Sequence, residues 1–461
     1  RYIPILIKEE LDQLTYQRKD NLYTILDLIN RKEIYYKTDL QKTYGYTEIP
    51  LAQFKELLPT SDNLNEDIQF LVDHNFIRKN DFYTIGVKSK SYKISSEYLG
   101  KTVGIKIQNI NINKRISKQI EKNRRIKVKN LEFAKSDYYK TFKIDVEGAN
   151  LAVLDKAIQE IKALCVKFNF SLTEKEIVDV IDCKQESLRN RLLIMIHKEG
   201  KELHNILHRH MIYSTRINAI NDGFLFFKRN KTNGRLDSNL TSLPSFLRPY
   251  IISNEPLMNV DIKNSQPYFL YTLIVNKPEI DKDELAQYAD LVIGGTLYEF
   301  LIKKYKVHTG YEKTRNQMKE MLFKIYYSKN VSFEKLKQFF GWQFPSIMAY
   351  INKTNSIEHN TLSIQLQTIE SYSILDVIMP LLEQKGIRPF TIHDSFVCKE
   401  SEAKIIDEVF TKKFIELYGI SPSLHLDYID NVAEDEKEDS EEDIANWEAF
   451  ISDDSDYWDV N

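Results

Sequence analysis

Two aspartates constrain this chain more than any other pair of its residues. Asp261 ends the apolar-leaning run Pro256-Leu257-Met258-Asn259-Val260, and Asp394 follows the short run Pro389-Phe390-Thr391-Ile392 by way of His393. Both runs read as strands, so each acid sits at the end of one. The two lie 133 positions apart, with segments of helical pattern between them. A fold that uses both must bring the strand ends together across those helices, which is an α+β arrangement.

Carboxylates on neighbouring strands suit one kind of chemistry in particular. Transfer of a nucleotidyl group needs two divalent cations ~3.5–4 Å apart, one for the attacking 3′-hydroxyl and one for the triphosphate and leaving group. Mg²⁺ fits such acids because it prefers oxygen ligands and keeps waters and phosphates in its shell. Between the acids, Arg315, Lys319, Phe323 and Tyr327 recur at four-residue intervals. Each step drifts ~40° around a helix, so the four form one stripe ~120° wide. The cations would meet phosphates and the rings would meet base and sugar. An amphipathic helix with core aromatics and solvated cations has the same pattern.

At 461 residues the chain exceeds one ordinary core, and two or three domains are expected. No apolar run approaches the ~18 residues of a membrane span. The opening RYIPILIKEELDQL carries no long apolar region of a signal peptide. Cys165, Cys183 and Cys398 are odd in number and widely spaced, which indicates a reducing, cytoplasmic setting without a disulfide framework. The net charge of −3 hides an asymmetry: residues 434–461 carry −12 and the rest +9. A basic body with an acidic tail hints at a nucleic-acid partner.

Residues 1–100 combine helical periodicity with a helix-and-hairpin pattern carrying Lys88 and Lys90, like a winged-helix domain. Residues 101–144 are expected to be a basic linker or DNA-contact segment. Its stretch 101–143 holds 13 Lys or Arg against three acids, and Tyr138, Tyr139 and Phe142 are candidates for base stacking. Residues 145–212 read as long helices, where His204 and His208 share a face but lack a third ligand for zinc. Residues 213–433 contain both aspartates and the ladder. The acidic tail 434–461 is expected to be disordered, with Trp447, Phe450, Tyr457 and Trp458 as anchors for a protein partner.

The order of these motifs resembles that of family A (Pol I-like) DNA polymerases. Gly234-Arg235-Leu236, Asn239-Leu240, Pro244 and Asp261 resemble motif A with its preceding segment. The ladder resembles motif B at all four positions, FGWQFPSIMAYI resembles the segment after it, and His393-Asp394 resembles motif C. The similarity runs over roughly residues 212–430. It implies a right-hand polymerase of palm and fingers over 213–433, with the helices of 145–212 as thumb. It also implies two Mg²⁺ ions, or Mn²⁺ in their place, on Asp261, Asp394 and the Ile262 carbonyl. By the same resemblance Arg315, Lys319, Phe323, Tyr327 and Gln266 would bind the dNTP, and Arg235, Gln367 and His393 the DNA primer-template.

The sequence also departs from the family pattern. Gln266 stands where the family usually has Glu five residues after the motif A aspartate, and Ser395 replaces the acid after Asp394. His-Asp-Ser is similar to single-subunit RNA polymerases, whereas Phe323 is similar to the DNA enzymes. No proofreading exonuclease motif is recognisable before residue 212. The expected activity is DNA-directed DNA polymerisation. The alternatives are an RNA polymerase or primase-like enzyme of the same superfamily, and a non-catalytic DNA-binding replication protein.

Overall fold

The computed structural model describes residues 1–35, 46–59, 63–81, 89–182 and 202–430. Lys88, Cys183 and the acidic segment 434–461 lie outside the described residues. The chain forms two compact units. The first comprises Arg1–Ile126, Lys143–Phe226 and Ser242–Ile252, and the second Lys127–Phe142, Phe227–Thr241 and Ser253–Asn461. Both mix helix and strand, and helix predominates. No helix among the described residues is long and apolar enough to cross a membrane.

The first unit opens with β1 (Tyr2–Pro4), α1 (Ile5–Gln13) and α2 (Lys19–Tyr35). After β2 (Thr47–Glu48) and α3 (Leu51–Leu57), α4 (Leu64–Asp73) leads into β3 (Ile77–Asn80) and β4 (Ser91–Ile94). These strands form an antiparallel sheet in the order β2-β4-β3, so the helix-then-hairpin pattern is present. Buried Asp67 on α4 is held by Tyr16 Oη at 2.6 Å, Arg18 Nε at 2.8 Å and Asn21 Nδ2 at 2.8 Å. Three donors on one buried carboxylate meet the demand that a charge taken from water be paired and hydrogen-bonded.

The basic segment is not a single linker. It holds β5 (Thr102–Gly104), α5 (Ile110–Arg125) and α6 (Glu132–Thr141), and the boundary between units falls between Ile126 and Lys127. On α5, Ile112 and Ile116 are buried while Lys114, Lys118 and Lys122 face out. Tyr138 and Phe142 are each 2% exposed, stacked on one another at 4.6 Å and edge-on to Phe390. They are core residues of the second unit, and base stacking is not open to them. The first unit resumes with α7 (Val146–Lys167), α8 (Glu174–Ile181) and α9 (Glu202–Asn221). His204 and His208 lie on α9, and no group of three or more His, Cys, Asp or Glu suited to a metal occurs among the described residues.

The second unit is built on a four-stranded antiparallel sheet. After the hairpin of β6 (Phe227–Arg229) and β7 (Leu236–Ser238), it runs from β8 (Leu257–Ile262) to β9 (Phe390–Ile392), β10 (Ser395–Lys399) and β11 (Leu424–Tyr428). The order is β11-β8-β10-β9. Alternation along β8 buries Val260 and Ile262 at 1% and 3% exposure, and turns Asp261 to the opposite face. Between β8 and β9 the chain makes α10 (Ser265–Ile274), α11 (Lys282–Ile293), α12 (Leu297–Thr309) and α13 (Arg315–Tyr327). Then follow α14 (Glu334–Gln343), α15 (Pro345–Thr354), α16 (Thr361–Ser371), a π-helical segment Tyr372–Ile378 and α17 (Met379–Gln384). The last helix, α18 (Glu400–Tyr418), packs its buried Phe410 and Phe414 toward Phe396 of β10 and Tyr268 of α10.

Candidate active site

The sheet register brings the two aspartates together. Ser395 on β10 pairs with Asp261 on β8, and Asp394 immediately precedes Ser395 in the two-residue turn His393-Asp394. The Ser395 hydroxyl donates to the Ile392 carbonyl at 3.0 Å and closes this hairpin. Its place after Asp394 is therefore explained by the turn. Both aspartates are half-buried. Ile262, next along β8, is buried in the core and pairs with Leu424.

Two left-handed non-glycine residues lie close in sequence to these acids. His393 has φ +54° and Asn264 has φ +53°, a left-handed conformation that costs most L-residues about 1–2 kcal/mol and asparagine less. Such strain at a site is a reason to suspect function there. Asn264 caps α10 without a side-chain bond to that helix. Its Oδ1 and Nδ2, and the Ser265 Oγ, are buried and have no hydrogen-bond partner among the described residues. Polar atoms in that condition cost about 1–3 kcal/mol each, which a polar ligand would recover.

The ladder occupies α13 from its first residue to its last. Thr314 starts the helix with a capping box: its hydroxyl accepts from Gln317 N at 3.2 Å, and Gln317 Oε1 accepts from Thr314 N at 3.1 Å. The buried face is Met318, Leu322, Ile325 and Tyr326, so the ladder aromatics are not the helix's core contacts. Phe323 and Tyr327 stack at 5.6 Å with an interplanar angle of 14°. Lys319 is half-buried, and Arg315 is half-exposed in an ion pair with Glu299 at 3.1 Å. At the other end, buried Lys337 donates to the carbonyls of Ser328 and Lys329, and burial lowers its ammonium to about 8.

A hydrogen-bond chain joins α13 to three other elements. The Tyr327 hydroxyl donates to Gln266 Oε1 at 2.6 Å, and Gln266 Nε2 donates to Glu370 Oε2 at 2.7 Å. Arg235 grips Glu370 through Nε and Nη2, both at 2.7 Å. Glu370 is wholly buried on α16. Burial pushes its carboxyl up to about 7, against the pull of Arg235 and with the Asp394 charge adding to the rise. Burial works against the Arg235 charge, but Glu370 and Asp394 outweigh it and the guanidinium titrates above its ordinary value. The Tyr327 phenol is raised by burial. Asp394 is therefore near enough for its charge to act on this network.

The hairpin that carries Arg235 is fastened to α16 and the π segment at several points. Arg229 forms a bidentate pair with Asp376 at 2.7 and 2.9 Å, and its Nε donates to the Gly234 carbonyl at 2.8 Å. Asn233 Nδ2 donates to Gln367 Oε1 at 2.8 Å, and Ser371 donates to the Asn233 carbonyl at 2.8 Å. Gln367 and Arg235 thus lie on one fastened surface. Sequence reasoning missed Glu370, Asp376, Asn264 and Lys337. The signal for Glu370 was available: it is the one charged residue in the run Thr361 to Leu375.

No protein-family model matches the chain. No curated protein matches it either. Among solved structures it is similar to the POL domain of Pol1 from M. smegmatis, in complex with DNA primer-template and dNTP, at 13% identity and a TM-score of 0.45. That similarity covers 69% of this chain and 72% of the other.

Proposed function

We propose that this chain is a template-dependent nucleotidyltransferase, a DNA-directed DNA polymerase of the family A type that extends a primer 3′-hydroxyl with dNTPs. The observation that carries the proposal is the β8–β10 register, which sets Asp394 beside the partner of Asp261 at one end of a sheet. The β8–β11 sheet would be the palm, α11 to α15 the fingers, and α7 to α9 the thumb.

The donor set fits Mg²⁺, and Mn²⁺ in its place, because both acids are oxygen donors with exposed surface and the Ile262 carbonyl follows Asp261. Bound there, the ions would polarise the α-phosphate and the attacking hydroxyl. Asn264 and Ser265, three and four residues after Asp261, supply polar atoms unpartnered among the described residues and suited to phosphate oxygens. Lys319 and Arg315 would bind the triphosphate, with Arg315 exchanging Glu299 for it. The stacked Phe323 and Tyr327 would receive sugar and base, with Gln266 beside them. Arg235, Gln367 and His393 would contact the primer-template.

Primer extension with dNTPs and with NTPs tests this directly. Asp261→Ala and Asp394→Ala should each abolish incorporation while leaving DNA binding in a gel shift intact. Incorporation by either variant would sink the assignment. A gel shift with no incorporation by the unmodified chain under any metal would make it a binding protein.

A further inference from the structure

Gln266 is placed by a residue that the polymerase reading does not itself require. A glutamine side chain has a donor end and an acceptor end of nearly the same shape, and its neighbours decide which end goes where. Here one neighbour is Tyr327, whose hydroxyl can give or accept. The other is Glu370, whose two oxygens both accept from Arg235 and which, in the ionised form that this fork pairs with, only accepts. Glu370 therefore takes the NH₂ end of Gln266 at 2.7 Å and leaves the carbonyl end to Tyr327 at 2.6 Å. Tyr327 has to donate, and its lone pairs are left for other partners. With the amide reversed, Tyr327 would accept from Gln266 and its hydroxyl proton would point elsewhere.

Arg235 makes this arrangement tolerable. A carboxylate with no exposed surface needs a paired counter-charge, and the two 2.7 Å bonds from Nε and Nη2 provide it in fork geometry. The four side chains come from the turn before β7, from α16, from α10 and from α13. With Glu370 ionised in the Arg235 fork, the direction of every bond in the chain follows from that one carboxylate.

We propose that Glu370 is a positioning residue of the nucleotide site: it orients the Gln266 amide and, through it, the Tyr327 hydroxyl that receives a deoxynucleoside triphosphate. This rests on the placement of Tyr327 at that site given under the proposed function. Glu370 touches no reacting atom. Its effect falls on how well the nucleotide is held, and so on KM before kcat.

The test is single-nucleotide incorporation on a primer-template with the dNTP concentration varied, alongside melting temperature for each protein. Glu370→Gln keeps the shape but offers both a donor and an acceptor, so the amide orientation is no longer enforced. It should raise KM about tenfold with kcat within about threefold. The exchange Gln266→Glu with Glu370→Gln moves the acceptor-only group next to Tyr327, keeps the phenol donating, and deprives Arg235 of its buried partner. It should return KM to within about threefold of the unmodified chain while the melting temperature stays low. Tyr327→Phe, which deletes only the hydroxyl, should reproduce the KM rise and covers the case in which Glu370→Gln does not fold. An unchanged KM in Glu370→Gln or in Tyr327→Phe overturns the inference alone, as does an exchange that restores melting but not KM. Absence of incorporation by the unmodified chain overturns the reading of the site and the inference with it.

Discussion

Replacing Asp261 with Asn should stabilise the metal-free protein, although most substitutions destabilise. The register sets Asp394 one residue along from the partner of Asp261. Directly opposed residues have Cα atoms ~5 Å apart and each further residue adds ~3.4 Å of rise, so the Cα atoms of the two acids stand about 6 Å apart, and their side chains can bring the charges to a similar distance. Two like charges at that separation repel by about 3 kcal/mol at an effective dielectric of 20, and by under ~1 kcal/mol in water. Both acids are half-buried, and the Arg235 charge acts on Asp394, so the low side of that range applies. Asp261→Asn should therefore gain about 1 kcal/mol in EDTA. Millimolar Mg²⁺ should then reverse the order. A ligand at 100 times its Kd stabilises by ~2.7 kcal/mol, and only the protein with both carboxylates would respond fully. Urea unfolding followed by circular dichroism, with EDTA and then with Mg²⁺, reads both steps. A variant less stable than the parent in EDTA, or one that gains as much from Mg²⁺, refutes the reasoning.

Three further outcomes follow from the geometry. Gly234 has φ +73°, and a Cβ there would lie 2.8 Å from Ser371 Oγ, so Gly234→Ala should cost about 1–2 kcal/mol from the backbone and about 1–3 kcal/mol from crowding. In thermal melts, adding Ser371→Ala should recover only the crowding part, and equal losses in both backgrounds would count against it. Arg235→Ala leaves the Glu370 carboxylate buried without its partner and should destabilise by about 3–5 kcal/mol in urea titrations, a loss under ~1 kcal/mol being the contrary result. His210 is buried in the first unit, and desolvation lowers it to about 4. As pH falls from ~6.5 the unfolded chain takes this proton before the folded one, so stability should drop by about 3 kcal/mol between pH 6.5 and 4. A pH series of melting temperatures should flatten over that window in His210→Asn, and an unaltered slope would discount the residue.

The site's outline was legible where chemistry repeats along the chain. Arg315, Lys319, Phe323 and Tyr327 mark a helix face by spacing alone, and α13 begins and ends on that set. Asp261 and Asp394 were visible as acids after short apolar runs, and β8 and β9 lie where those runs do. Tyr138 and Phe142 show the limit. Aromatics beside lysines look alike whether they stack on bases or fill a core, and the choice is made here by Phe227 and Phe390, far away in sequence. Glu370 was illegible in role for the same reason, since its partners Arg235 and Gln266 come from two other elements far away in sequence. The left-handed Asn264 and His393 could not be singled out, because Asn and His enter that region more readily than most residues yet usually lie outside it.

The two-residue turn at His393-Asp394 has a consequence for how this chain tolerates changes of length. Side chains on a strand alternate faces, so one residue added between Ile392 and Ser395 leaves two outcomes. Either β10 slips against β8 and sends Phe396 and Cys398, now 1% and 2% exposed, to the side that Asp261 occupies, or the added residue bulges and swings Asp394 off the sheet end. The many helices between β8 and β9 can lengthen or shrink at their loops without touching that register. A tag or spacer placed after Gly310 or Gly386, where an added Cβ meets nothing within 4 Å, leaves the pairing of Asp261 with Ser395 intact. The same spacer four residues wide at the turn would uncouple the two acids completely.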